Sequence, residues 1–419
     1  EPGHELLVAQ TRPDGAVDVE PPLRLLRHDH VGEGVPVAAR RLGLHERDAG
    51  VAEQVVGVRA PAARRDADAH GGLHEVRSDG DLALRCREQP VRDDGGVRGV
   101  GEPGHDDEEL GAAAATDEVL VADTTSPDRL SAITGYLHPD MKVTLVGHDP
   151  KSGLMVGSDL AAKMTDRVAA VYFENPSYLG CIEGQGKEIS TLAHEVGAVC
   201  VVAANPMSLG VLAPPAAYGA DIVCGDIQPL GMHMQFGGGH AGFIATHDDP
   251  RYVMEYPSRL FGIAPTRVPG EYGFGDVAYE RTSFAVREEG KEWVGTAAAL
   301  WGITAGVYLA LMGPRGMAEI GEGIMARARY AMLRLDAIDG VRAPAFQAAH
   351  FQEFVVDLNA TEKTVAAINR ALLERGIQGG HDLSVEFPEM GQCALYCVTE
   401  VHTQADIDRL AQALQEVVA

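Results

Sequence analysis

The chemically densest stretch of the 419-residue chain is the loop Gly225-Asp226-Ile227-Gln228-Pro229-Leu230-Gly231-Met232-His233-Met234-Gln235-Phe236-Gly237-Gly238-Gly239-His240. Its three consecutive glycines, Gly237, Gly238 and Gly239, expose backbone N–H groups and admit a ligand closely. With Gln228 they are the candidate wall of an anion or cofactor pocket. The competing reading is a hairpin turn that enters the apolar run Gly242-Phe243-Ile244. A second motif, Gly99-Val100-Gly101-Glu102-Pro103-Gly104, has the G-x-G-x-x-G spacing of dinucleotide sites, which works only between a buried strand and a helix start. Here Val91-Arg92-Asp93-Asp94 precedes it, Pro103 interrupts it and Asp106-Asp107-Glu108-Glu109 follows, so it reads as a chance match. Cys393 and Cys397, four apart on a strand, share a face and read as core residues, because metal-binding cysteines come at tighter spacing with further donors nearby. The chain has no His-Glu-x-x-His pair and no Gly-x-Ser-x-Gly elbow, and His233 and His240 lack an obvious partner. The residues by themselves name no catalytic group and no metal site.

The elements that must hold the loop read as α/β. Apolar runs without alternation at residues 120–122, 142–146, 168–173, 199–203, 220–224 and 242–245 suit strands covered on both faces, and residues 188–195 have helical character. Strands interleaved with helices imply a mostly parallel, doubly wound sheet. Residues 294–312 carry no charge and include Gly302-Ile303-Thr304-Ala305-Gly306. That length spans a bilayer, but Ala, Gly and Thr outnumber Leu and Ile and no polybasic flank is present, so the run is expected to be a buried central helix. From about residue 325 a small α+β module follows. A strand at 352–358 precedes a helix at 365–375, with Thr361 as its expected N-cap and Gly376 as its stop. A strand at 394–398 leads to a last helix through Val417, started by Thr403 with Asp406 three residues on.

Residues 1–117 stand apart. Residues 1–119 contain no Lys, Phe, Tyr, Trp, Ile, Met or Asn, so the segment lacks most of the side chains that offset the cost of ordering a backbone. Three readings remain open: a disordered segment, an unusual domain, or translation of another frame or strand of a GC-rich gene. All place the chemistry after residue 117, giving an atypical segment 1–117, a large domain 118–324 and a small domain 325–419. The 61 acidic residues against 35 Lys and Arg leave a formal charge of −26, which disfavours nucleic-acid and anionic-membrane partners. Six cysteines without a tight pair form no disulfide framework, and Glu1-Pro2-Gly3-His4-Glu5 lacks the features of a signal peptide, so a cytoplasmic location is expected.

The stretch 225–242 resembles the loop of the glycine cleavage system P-protein, and in particular the alpha subunit of its split, two-chain form. The resemblance extends in order through Val171-Tyr172-Phe173-Glu174-Asn175-Pro176-Ser177-Tyr178-Leu179-Gly180-Cys181-Ile182-Glu183, Asn205-Pro206-Met207-Ser208-Leu209-Gly210-Val211-Leu212, Pro257-Ser258-Arg259-Leu260-Phe261-Gly262 and Tyr308-Leu309-Ala310-Leu311-Met312-Gly313-Pro314-Arg315-Gly316-Met317. It implies the type I pyridoxal-phosphate-dependent transferase fold. It implies glycine decarboxylation, with the aminomethyl group passed to lipoylated H-protein. It also implies a Schiff-base lysine near Gln228 and an acidic partner for the ring nitrogen after the strand at 199–203. Neither is there: no Lys lies between Lys187 and Lys291, and the strand ends Ala203-Ala204-Asn205. Both absences match the alpha subunit, whose beta partner carries the lysine and the pyridoxal phosphate in a heterotetramer. The family's Tyr- and Phe-rich N-terminal segment is not recognisable in 1–117, and Glu292-Trp293-Val294-Gly295-Thr296 replaces its commoner Ser-Asn-Ile-Cys-Thr. Two alternatives are an inert scaffold or regulatory homologue that kept the fold, and a type I aminotransferase or desulfurase acting alone.

Overall fold

The computed structural model describes residues 9–11, 17–19, 56–58, 116–233, 240–256, 259–286 and 298–419. The expectations for 1–117, the Gly99–Gly104 match and the departure at 292–296 therefore lie outside the described residues, three short strands excepted. Strands β1 (Ala9–Thr11) and β2 (Val17–Val19) pair antiparallel within a unit spanning residues 1–52. The rest belongs to one compact unit, residues 53–419.

Its central sheet uses β3 (Val56–Val58), β4 (Glu118–Ala122), β5 (Lys142–Val146), β6 (Val168–Asn175), β7 (Val199–Ala204), β8 (Ile222–Asp226) and β9 (Gly242–Thr246). The helices between them are α1 (Pro127–Leu137), α2 (Gly157–Lys163) and α3 (Gly186–Glu195). The order is β3-β9-β8-β7-β6-β4-β5, parallel from β8 to β5, with β9 antiparallel to β8 and β3 antiparallel to β9. All eight residues of β6 are buried, as a continuous apolar run requires. On one face Leu120, Val171, Phe173 and Val202 pack with Leu160, Ile189 and Ala193; on the other, Val121, Tyr172 and Val201 pack with Leu137 and Tyr252. Each large side chain so buried contributes roughly 1.5–3 kcal/mol. The connection from β8 to β9 shows that the glycine-rich stretch is the loop of an antiparallel hairpin, while residues 234–239 of that loop lie outside the described residues.

After α4 (Pro250–Val253) come two strands that the sequence analysis does not foresee, β10 (Phe261–Pro265) and β11 (Tyr272–Asp276), paired as a separate hairpin. Helix α5 (Ala299–Asp336) is interrupted at Gly313, whose φ of 61° and ψ of 177° are accessible essentially only to glycine, ahead of Pro314. The boundary drawn at residue 325 thus falls inside a helix. The buried central helix expected at 294–312 is corrected in two respects. Its described part begins at Ala299, and only one of its faces is covered, because uncharged residues continue around the helix where nothing in the chain packs on them. No helix among the described residues is long and apolar enough to cross a membrane.

The C-terminal sheet is antiparallel, in the order β12-β14-β13, and comprises β12 (Glu353–Asp357), β13 (His381–Asp382) and β14 (Cys393–Cys397), with helices α6 (Val365–Leu373) and α7 (Gln404–Val418). Phe354, Val356 and Tyr396 share a core with Ile368, Leu372, Leu414 and the end of α5. The N-cap of α6 is Thr364, whose hydroxyl accepts from the Ala367 N–H, and not Thr361, which donates to the Leu358 carbonyl. Thr403 and Asp406 form the reciprocal capping box at α7. Cys393 is buried as expected, whereas Cys397 sits at the exposed end of its strand.

Candidate functional site

In an open α/β sheet the ligand crevice opens at the carboxyl ends of the strands, where strand order reverses. Here the chain runs from β4 outward to β5 and returns to β6 on the other side of β4, so the reversal lies between β4 and β6. The residues just past those strand ends are polar. Asp123 follows β4, His148 follows β5, and β6 itself closes on Glu174 and Asn175.

Each is already engaged. His148 Nδ1 lies 2.9 Å from Asp123 Oδ1, and that hydrogen bond raises the pKa of the imidazole. Glu174 accepts from Arg129 Nη1 at 2.7 Å and from the Ser126 N–H at 3.3 Å, so a carboxylate of the chain itself occupies the start of α1. The Glu183 carboxylate accepts from the N–H groups of Met155 and Gln185, both at 2.9 Å. Asn175 donates to the Glu183 carbonyl and accepts from the Glu183 N–H, both at 3.1 Å. Cys181 Sγ is 3.8 Å from His350 Nε2, but burial pushes the thiol up to about 12 and the imidazole down to about 4. A protonated thiol beside a neutral imidazole is not an activated nucleophile. The cavity among these groups, lined by Thr124, Glu174, Ser177, Cys181 and Glu183, has a volume of about 10 Å³, room for one water. A cofactor pocket needs roughly 300 Å³ or more. A wider open groove of about 710 Å³ between α5 and α7 has its charges paired, Arg334 to Asp408 at 2.7 Å and Arg409 to the Arg375 carbonyl at 2.9 Å.

The sequence-selected residues sit at the ends of β7 and β8. Gln228 is half-buried, and its side-chain amide donates to the Met232 carbonyl at 2.7 Å, while its N–H donates to Asp226 at 2.8 Å. It braces its own loop. Gly237, Gly238 and Gly239 lie outside the described residues, so the structure does not bring them together with Gln228. His240, given no partner by the sequence, lies 4.0 Å from Asp226. At the end of β7, Asn205 accepts from the Met207 N–H at 3.0 Å and starts a single helical turn at Ser208. Among the described residues no group of three or more His, Cys, Asp or Glu is placed to hold a metal. The Asp123–His148, Glu174–Arg129 and Asn175–Glu183 pairings escaped the sequence reading. The signal available was a polar residue directly after each apolar run.

A mostly parallel sheet with an antiparallel last strand, joined by a long helix to a small antiparallel sheet, is the type I pyridoxal-phosphate-dependent transferase fold. Two solved enzymes share it at a level that shows fold alone. One is a sphingosine-1-phosphate lyase of Burkholderia pseudomallei (16% identity, TM-score 0.50, covering 72% of this chain and 63% of that one). The other is a cysteine desulfurase of Escherichia coli (15%, TM-score 0.53, covering 73% and 72%). The profile of the glycine cleavage system P-protein matches residues 110–414, and the chain belongs to that family. It is similar to a crystal structure of a glycine decarboxylase (P-protein) in inhibitor-bound form, at 33% identity and TM-score 0.63, covering 73% of this chain and 66% of that one. It is also similar to proteins named "Probable glycine dehydrogenase (decarboxylating) subunit 1". That of Staphylothermus marinus is 33% identical over 72% of this chain and 64% of the relative; that of Desulforamulus reducens is 34% identical over 72% and 66%. The chain thus spans just under two thirds of the length of these relatives.

Pyridoxal phosphate, which the fold family implies, does not fit the described residues as a covalently held cofactor. The end of β8 offers an amide in place of an amine, and the end of β7 an amide in place of a carboxylate. The crevice at the strand reversal is closed by the chain's own side chains.

Proposed function

We propose that this chain is the alpha subunit of a two-chain glycine dehydrogenase (decarboxylating), with residues 118–324 and 325–419 as its large and small domains. In this reading the complex decarboxylates glycine and transfers the aminomethyl group to lipoylated H-protein. Pyridoxal phosphate and its lysine reside on a beta subunit, in a cytoplasmic heterotetramer, and this chain alone is inactive. Gln228 and the Gly237, Gly238 and Gly239 turn then face the shared pocket as wall and not as reacting groups. Family membership supports the reaction class. One observation carries the division of labour: Gln228, at the end of β8, spends its amide on the Met232 carbonyl in a stretch where no lysine occurs between Lys187 and Lys291. An amide held that way can neither capture an aldehyde nor exchange a proton at neutral pH.

The test is release of labelled CO2 from carboxyl-labelled glycine, with lipoylated H-protein present. We expect none from this chain, none from a lysine-bearing fold-mate of the same genome, and turnover on mixing. Release by this chain unaccompanied would overturn the reading.

A further inference from the structure

The first part of α5, residues 299–312, carries no charged side chain. Its inner face is in use: Trp301, Ala305, Tyr308 and Met312 pack with Ile227, Leu230 and Met232 of the loop that follows β8. Its outer face is bare. Leu300, Ile303, Val307 and Leu311 recur at helical spacing and are 62%, 64%, 64% and 81% exposed. A Cβ added at Gly302 or Gly306 would meet nothing within 4 Å, so that flank is open as well. A helix that is hydrophobic all round belongs in an interior, and this one does not qualify as a membrane span.

The β10–β11 hairpin shows the same imbalance. Ile263 lies opposite Phe274, and Pro265 opposite Tyr272, which places the large side chains on one face and Gly262, Ala264, Gly273 and Gly275 on the other. Phe261 and Phe274 stack at 5.9 Å, yet Phe261, Ile263, Tyr272 and Phe274 are 51%, 72%, 65% and 74% exposed. A two-stranded hairpin is marginal in water without a surface to lie on. Large side chains offer about 150–250 Å² each. At these exposures the eight present on the order of 900 Å² together, against about 800 Å² per partner in a standard interface.

We infer that these two surfaces are the docking site of a lysine-bearing chain of the same fold; the inference rests on the two-chain reading above. A chain packed on the outer face of α5 sits about one helix diameter, 10–12 Å, from the loop that the inner face supports. That loop is the part of the site this chain leaves without an amine. A second copy of this chain is the poorer occupant. It would bring another formal charge of −26 and another loop without lysine.

The experiment uses the full chain and a tagged fold-mate with Lys at the position matching Gln228, measured by light scattering and by titration for Kd. Ile303→Glu with Val307→Glu, and separately Phe274→Glu, are expected to raise Kd at least about tenfold. Leu373→Glu, at an exposed position on α6, is expected to leave it within about twofold. Hydrogen exchange of the wild-type pair, which requires no variant to fold, is expected to slow at residues 299–311 and 261–276. Unchanged Kd in both variants, or unchanged exchange, overturns the docking site while the two-chain reading stands. A wild-type homodimer dissociated by Ile303→Glu with Val307→Glu overturns the choice of occupant. A wild-type chain that binds no lysine-bearing fold-mate overturns both.

Discussion

Asn175 exchanges two hydrogen bonds with the Glu183 backbone, and both residues are buried. Asn175→Ala strands an N–H and a carbonyl in the interior, at a cost of about 2–4 kcal/mol, to be read as a lower denaturation midpoint with an unchanged slope. The histidines bear on stability in opposite senses. His350 is held neutral by burial, its pKa down to about 4, whereas in the unfolded chain it titrates near the ordinary ~6.5. Between those values the unfolded state binds more protons, so stability falls by about 3 kcal/mol as the pH drops through that window. His148 is raised by its hydrogen bond to Asp123. Its contribution is complete below about 6.5 and is lost as the pH rises through the raised value. Denaturation from pH 4 to 9 is expected to show a flatter acid limb in His350→Gln and a flatter alkaline limb in His148→Gln. Gln228 and Asn205 were recognisable in the sequence as positions of interest. What each amide bonds was not, because the conformation of the following turn chooses the partner.

The strands of the large sheet were legible because both of their faces are buried, which writes each as an unbroken apolar run. The capping box at α7 was legible because its two residues sit at a fixed spacing. Thr361 and Thr364 could not be ranked by type, since the cap is the residue whose backbone is still extended when the helix begins (Thr364, φ −77°, ψ 148°). The exposure of α5 was illegible for a different reason: an uncharged run reads the same whether its own chain or another covers it. Close packing of elements gives a sharper test. A Cβ on Gly210 would lie 2.2 Å from the Met317 carbonyl oxygen, because the second part of α5 crosses directly over the turn after β7. Neither atom is on a flexible side chain. Gly210→Ala is therefore expected to cost several kcal/mol or to abolish soluble expression, whereas Gly302→Ala on the open flank of the same helix is expected to be neutral or slightly stabilising. Comparing the two melting temperatures checks the packing.

On the scale of the molecule, a formal charge of −26 and a sequence pI of 4.9 set long-range behaviour. Retention on an anion exchanger and passage through heparin at pH 7 are expected, and binding to heparin would show a basic surface that the totals conceal. The break in α5 has a mechanical consequence. As one straight rod its 38 residues would reach about 57 Å and hold a single heading. Gly313 supplies an elbow, so one arm can lie along the hairpin loop after β8 while the other lies under the small sheet. A side chain there would meet no neighbour, so Gly313→Ala acts on the joint alone, at about 1–3 kcal/mol. Straightening the joint sets one arm against the other: whichever sheet keeps its grip, the opposite end of the protein loses its anchorage.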